Sequence, residues 1–175
     1  MVRSLFLARH AAALTTSSKD DFNRKLSALG LRQSQRMGAW LLQKNLSLEG
    51  IFVSSSHRTK STTQHICTAL NIKDGIYFDT GYYQASRRVM VEKLCQISNN
   101  LKKILIVAHN PGVTQLLHFL CPTKAVHLDP ADIVHIEFNG IEWNEITEDS
   151  GIFIRRVSCR SSEERRVGKR GHLGD

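Results

Sequence analysis

A chain of 175 residues with 41% apolar and 23% charged residues is long enough to bury a core without disulfides or metals, and its composition excludes a fibre, a coiled coil and a wholly disordered chain. No apolar run approaches the ~20 residues of a membrane-spanning helix. The net charge of +8 invites a nucleic-acid partner, but residues 155–175 hold seven positive and three negative residues, a net +4 of that total, so the body is only mildly basic.

The first apolar run, Ser4 to Ala8, is continuous rather than alternating, the pattern of a strand covered on both faces. Arg9 and His10 follow it. A competing reading makes this N-terminal stretch, with no acidic residue before Asp20, an organellar transit peptide. From Ser27 to about Asn45 a helix is expected, with Leu31, Gly38, Leu41 and Leu42 as its apolar face. The second buried strand, Gly50 to Ser54, leads into Ser55, Ser56, His57 and Arg58, and a helix with Thr62, Ile66, Ala69 and Leu70 inward runs to Leu70. Ser86 is a plausible N-cap for a helix carrying Met90, Leu94 and Ile97. The third buried strand, Ile104 to Ala108, ends in His109, Asn110, Pro111 and Gly112. Pro111 suits a first helical turn, and Val113, Leu116, Leu117 and Leu120 follow the i, i+3, i+4, i+7 rule. Ile133 to Phe138, then Asn139-Gly140, then Ile141 to Thr147 read as a hairpin, with Gly151 to Ile154 available as an edge strand.

The expected architecture is a three-layer α/β/α sandwich around a mostly parallel sheet with a C-terminal hairpin. One domain is expected over residues 1–154, followed by a basic, disordered tail over residues 155–175. Cys67, Cys95, Cys121 and Cys159 form no CxxC pair and read as free thiols of a reducing, cytoplasmic setting. His118, Cys121 and His127 match no standard structural zinc spacing, so neither a metal nor a cofactor is expected.

Ligands of open α/β sheets bind beyond the carboxyl ends of strands. Here those ends supply Arg9, His10, Arg58 and His109 and no acidic residue. Arginines clamp a phosphate dianion through paired N–H groups, and helix N-termini add partial positive charge. Crowding by Arg9 and Arg58 disfavours an imidazolium, so His10 is expected to stay neutral and nucleophilic.

These segments resemble the histidine phosphatase superfamily (phosphoglycerate mutase-like) in four ordered blocks. Leu7 to Ala11 is similar to its RHG signature in an RHA form. Ser54 to Thr62 resembles S-P-x-x-R-[AT]-x-x-T, with Ser55 at the usual proline. Val107 to Gly112 resembles the block ending in HNP, in the HNPG form of the SixA-type phosphohistidine phosphatase branch. Ser27 to Gln33 resembles the segment that precedes the first helix. The resemblance implies that His10 is the phosphorylated nucleophile, that Arg9, Arg58 and His109 form the phosphate pocket, and that Asn110 lies in the substrate-binding block.

Larger members of the family carry a general acid between the second and third blocks. The corresponding stretch, 71–100, is short and offers only Asp79 and Glu92 without a supporting context. Imidazole is a better leaving group than an alkoxide, so the expected activity is phosphohistidine hydrolysis on a phosphorylated protein, with no nucleic-acid or membrane partner. The alternatives are a small-molecule phosphomonoesterase of the same superfamily, acting on a phosphorylated metabolite, and a non-catalytic phosphate-binding module. A mutase is the least favoured.

Overall fold

The structure, a computed structural model, describes residues 1–15, 20–122 and 126–170, with side chains to residue 166. Among them no helix is long and apolar enough to cross a membrane. Strands β1 (Val2–Arg9), β2 (Gly50–Ser54), β3 (Ile76–Asp79), β4 (Lys103–Ala108), β5 (Asp132–Asn139) and β6 (Ile152–Ser158) alternate with helices α1 (Ala28–Gln43), α2 (His57–Leu70), α3 (Arg87–Cys95), α4 (Gly112–Leu120) and α5 (Ser162–Arg170). The six strands form one sheet in the order β3-β2-β4-β1-β5-β6. The first four run parallel, and β5 and β6 are antiparallel.

Alternate residues of the central strands serve opposite faces. Leu5, Leu7, Ile104 and Ile106 pack with Met90 and Leu94 of α3 and Val113, Leu116 and Leu117 of α4. Phe6, Ala8, Leu105 and Val107 pack with Met37 and Leu41 of α1 and Ile66 of α2. This is the three-layer sandwich expected, and it explains why the strands read as unbroken apolar runs.

The inward face of α1 differs from the expected one. Gly30, Gln33, Ser34, Met37, Gly38 and Leu41 are buried, while Leu31 and Leu42 are exposed. Small residues line this face because α1 lies close to α2 and to the chain after β1: a Cβ on Gly38 would stand 2.7 Å from Ala69 Cβ, and one on Gly30 would stand 1.9 Å from the Ala12 carbonyl oxygen. Ser27 caps α1, accepting from the Gly30 N–H at 3.0 Å. Gly30→Ala is therefore expected to destabilise the fold by about 1–3 kcal/mol, measured by denaturant unfolding; an unchanged midpoint would refute this close approach.

The hairpin takes a different course after Asn139. Residues 141–147 do not pair with β5. They turn inward through a short 3₁₀ segment, Trp143–Glu145. Trp143 is wholly buried, its indole N–H donates to the Leu101 carbonyl at 2.6 Å, and its ring stands edge-on to Phe138. Burying this ring gains more than a solvent-facing strand would. Beside β1, the antiparallel neighbour of β5 is instead β6, with an irregularity in the pairing between His135 and Ile136.

The boundary expected at residue 154 is corrected as well. β6 continues to Ser158, and α5 follows. Arg156 bonds to the buried Asp132 and pairs with Asp129 at 3.1 Å, and Arg160 reaches Asp129 at 2.7 Å. Glu164 accepts from Gln33 at 2.9 Å and Arg36 at 3.1 Å. Val157 and Cys159 join the α1/α2 face of the core. The charges of this segment read as a disordered tail only in the absence of the partners that Asp129, β5 and α1 supply. Residues 171–175 lie outside the described residues.

Candidate active site

β1, β2 and β4 are neighbours in the sheet and run parallel, so their carboxyl ends open on one edge. His10 follows β1, its N–H donating to the Ala108 carbonyl at 3.2 Å, and its side chain is buried. His10 Nδ1 lies 2.7 Å from the Ala11 carbonyl oxygen. A carbonyl only accepts, so Nδ1 carries the proton. Arg58 Nε donates to His10 Nε2 at 3.2 Å, which requires a lone pair there. The two bonds together fix the tautomer and leave Nε2 as the basic nitrogen.

The turn bearing His10 is held from two sides. The Ala11 N–H donates to Thr62 Oγ1 at 3.1 Å, and the Ala12 N–H donates to Gln33 Oε1 at 2.9 Å. Ala11 is fully buried and fits where a glycine is common in the resembling sequences.

His109 leaves the end of β4 with its ring centroid 5.2 Å from that of His10. Its Nε2 is 2.7 Å from Ser54 Oγ and 3.5 Å from Ser56 Oγ, so the serines that end β2 orient it. His109 Nδ1 and Arg9 Nε are buried with no protein partner among the described residues. Buried polar atoms rarely remain unpaired, and both are suited to meet an oxyanion. Arg9 is anchored by Nη1 donating to the Leu128 carbonyl at 3.0 Å. The same carbonyl accepts from Asn110 Nδ2 at 2.7 Å, while Asn110 Oδ1 accepts from Thr114 at 2.8 Å. Both ends of the Asn110 amide are thus engaged by protein groups, and they hold the segment on which Arg9 rests.

Burial pushes the His10 imidazole down to about 3, helped by the neighbouring His109 ring and the charges of Arg58 and Arg9 and opposed by the Ala11 hydrogen bond. Burial does the same to His109, again to about 3, with Arg58 adding to it. Both rings are neutral at pH 7. Burial also lowers the Arg9 guanidinium, against the pull of Asp129 and Asp132.

The structure adds a group that the sequence reading passed over. Asp21, in the loop between β1 and α1, accepts from Arg58 Nη2 at 3.0 Å and from the Tyr83 hydroxyl at 2.8 Å. Its backbone carbonyl accepts from Arg58 Nη1 at 2.6 Å, and Arg24 pairs with its other carboxylate oxygen at 2.9 Å. This loop leaves the carboxyl end of β1, and that position is the signal that could have found it. The acids considered from sequence lie elsewhere: Asp79 is bonded to Lys93 and the Gly81 N–H, and Glu92 pairs with Arg88. His118 donates to the Val126 carbonyl, Cys121 to the Gly151 carbonyl, and His127 faces Asn110; among the described residues no three ligands gather for a metal.

No family model matches the chain. Phosphohistidine phosphatase SixA of Escherichia coli is 25% identical over 120 residues, 67% of this chain and 74% of that protein. A structure of the protein histidine phosphatase SixA complexed with tungstate superposes with a TM-score of 0.76 at 22% identity, over 89% of this chain and 97% of that one. The chain has the histidine phosphatase fold. The native structure of a mycobacterial glucosyl-3-phosphoglycerate phosphatase shares that fold, with a TM-score of 0.66 at 14% identity over 92% of this chain and all of that one. Within the histidine phosphatase fold of this chain, three of the four sequence blocks fall at the strand ends that bring His10, Arg9, Arg58 and His109 to one sheet edge, and the fourth opens α1.

Proposed function

We propose that this chain is a metal-independent phosphohistidine phosphatase that works through a phosphoryl group held covalently on His10 Nε2. The observation that carries this reading is the pair of bonds on His10: the ring is locked with its proton on Nδ1 and a cation aimed at Nε2. An idle buried histidine has no need of that arrangement, whereas a nitrogen nucleophile for phosphorus does. Arg9, Arg58 and His109 meet the phosphoryl oxygens and supply the charge that a loose phosphoryl transition state requires. As the phosphorus–nitrogen bond of the substrate breaks, a bond to His10 Nε2 forms. Water then displaces His10 and releases inorganic phosphate. The gain of positive charge by the ring in the intermediate is supported by the Ala11 carbonyl on Nδ1.

The protein-substrate part of the reading is supported by the stretch between α2 and β4, which holds only β3, a 3₁₀ turn and α3 and adds no separate lid. It is supported also by the likeness to SixA. The test is a panel comparing a phosphohistidine protein with alkyl phosphates, combined with phosphoryl trapping by an alkaline denaturing quench. Label that is lost in acid and confined to His10, with phosphohistidine turned over fastest, is the expected result; faster turnover of alkyl phosphates would favour a phosphomonoesterase. Arg58→Ala is expected to lower kcat/KM by about 10²–10³-fold, the range seen when a preorganised charge-stabilising donor is removed, and to weaken inhibition by inorganic phosphate. An Arg58→Ala enzyme with unaltered kinetics would remove Arg58 from the site.

A further inference from the structure

We infer that Asp21 is the proton donor and acceptor of the catalytic cycle, a role that rests on His10 being the nucleophile. The argument starts from the shape of Arg58. Its Nε and Nη2 lie on one edge of a rigid plane, the edge that grips two oxygens of a phosphate. In this structure one of those nitrogens donates to His10 Nε2 and the other to Asp21 Oδ2. The carboxylate and the nucleophile therefore stand side by side on the same guanidinium edge. A phosphoryl group arriving at Nε2 meets the Asp21 carboxylate, which is partly open to solvent, with 40% of the side chain exposed.

The described residues around Asp21 are held at several points. The Phe22 carbonyl accepts from the His57 N–H at 3.0 Å, the Phe22 ring packs edge-on to Tyr83 at 5.0 Å, and Ala13 bridges to Leu26. Tyr83 in turn packs edge-on to His109. The charged and titratable groups that face Asp21 are Arg58 from α2, Arg24 from its own loop, Tyr83 from the segment before α3, and His109 from the end of β4. Asp20 is its neighbour in the chain.

At rest, burial favours the neutral acid, but the hydrogen bonds from Tyr83 and Arg58 and the charges of Arg58 and Arg24 outweigh it and keep the carboxyl ionised. A bound phosphoryl group reverses that balance. It brings negative charge beside Asp21 and takes over donors of Arg58, and a like charge at close range raises a carboxyl pKa. Asp21 then takes up a proton from solvent or from the substrate monoanion. As Nε2 bonds to phosphorus and the leaving atom departs, that atom takes the Asp21 proton. In the second half, a water oxygen bonds to phosphorus, the phosphorus–Nε2 bond breaks, and the Asp21 carboxylate receives the water proton. Phosphate leaves, His10 is neutral again, and Asp21 releases its proton to solvent and returns to the ionised resting form.

The experiment measures kcat/KM against pH for phenyl phosphate and p-nitrophenyl phosphate, with the native chain, Asp21→Asn and Tyr83→Phe, together with phosphoryl trapping on His10. Asp21→Asn is expected to slow phenyl phosphate by about 10²-fold or more, the effect of a lost general acid, and p-nitrophenyl phosphate, whose leaving group departs without a proton, by less than about 10-fold. Tyr83→Phe removes a donor to the carboxylate, so the alkaline limb is expected at higher pH. Equal losses on both substrates while His10 still labels would leave Asp21 with only the orientation of Arg58 and overturn the inference. Absence of label from native His10 would overturn the nucleophile reading itself, and this inference with it.

Discussion

Replacing His10 by alanine is expected to abolish phosphoryl labelling and to lower turnover by about 10⁴-fold or more, because residues that act as one unit lose nearly all their effect when the nucleophile goes. The fold should survive. The substitution removes a ring that is 6% exposed and deprives Arg58 of one acceptor, a loss of about 1–3 kcal/mol for a buried donor. Arg58 keeps both of its bonds to Asp21, so its charge stays paired. Inorganic phosphate should still bind, since Arg9, Arg58 and His109 remain. His10→Gln provides a second form in which an amide fills the space without a nucleophilic nitrogen. Mass spectrometry of the acid-labile phosphoryl group, with circular dichroism as the measure of folding, separates the outcomes. A folded His10→Ala protein that still hydrolysed phosphate at the native rate would mean that the phosphoryl group never resides on this ring.

Much of this site is legible in the chain because the sheet itself is. Three short apolar runs without alternation read as strands covered on both sides, and the rule that ligands sit at strand ends then brings together His10, Arg58 and His109 from positions far apart in sequence. The parts that stayed hidden depend on partners that no local pattern reveals. Trp143 follows an Asn-Gly turn and an alternating strand, so the segment reads as the second arm of a hairpin; only the space beneath Phe138 and Leu101 explains why it turns inward. Arg156 and Arg160 read as a solvated tail until Asp132, fully buried, and Asp129 are placed opposite them. Asp21 stays hidden because the family resemblance points to an acid in the stretch before the third block, whereas the acid bonded to Arg58 comes from the loop after β1. In each case spacing defines the element, and charge complementarity across the fold decides where it goes.

Acid is expected to unfold this protein early, and the reason is the same burial that keeps the nucleophile ready. The unfolded chain holds its histidines near 6.5, whereas His10 and His109 are pushed down to about 3 in the folded state. Between those values the unfolded state binds more protons than the folded one, so stability rises with pH there. The contribution is fully present above about pH 6.5 and is lost as pH falls toward 3. At ~1.4 kcal/mol per unit, each ring forfeits roughly 2–3 kcal/mol by pH 4.5, and the two together approach the whole stability of an ordinary domain. Asp21, lowered in the folded state, adds a loss of the same sign below its unfolded value, whereas Asp132, raised by burial, regains stability as pH falls toward its unfolded value and so opposes the histidine loss above that value. Urea midpoints measured from pH 7.5 to 4.5 should therefore fall steeply below pH 6.5 and stay level above it. His10→Asn should flatten the slope, since one of the suppressed titrations disappears while those of His109 and of His135, which burial also lowers, remain. Midpoints that do not change between pH 6.5 and 4.5 would mean that His10 is protonated in the native protein, and a protonated ring offers no lone pair to phosphorus.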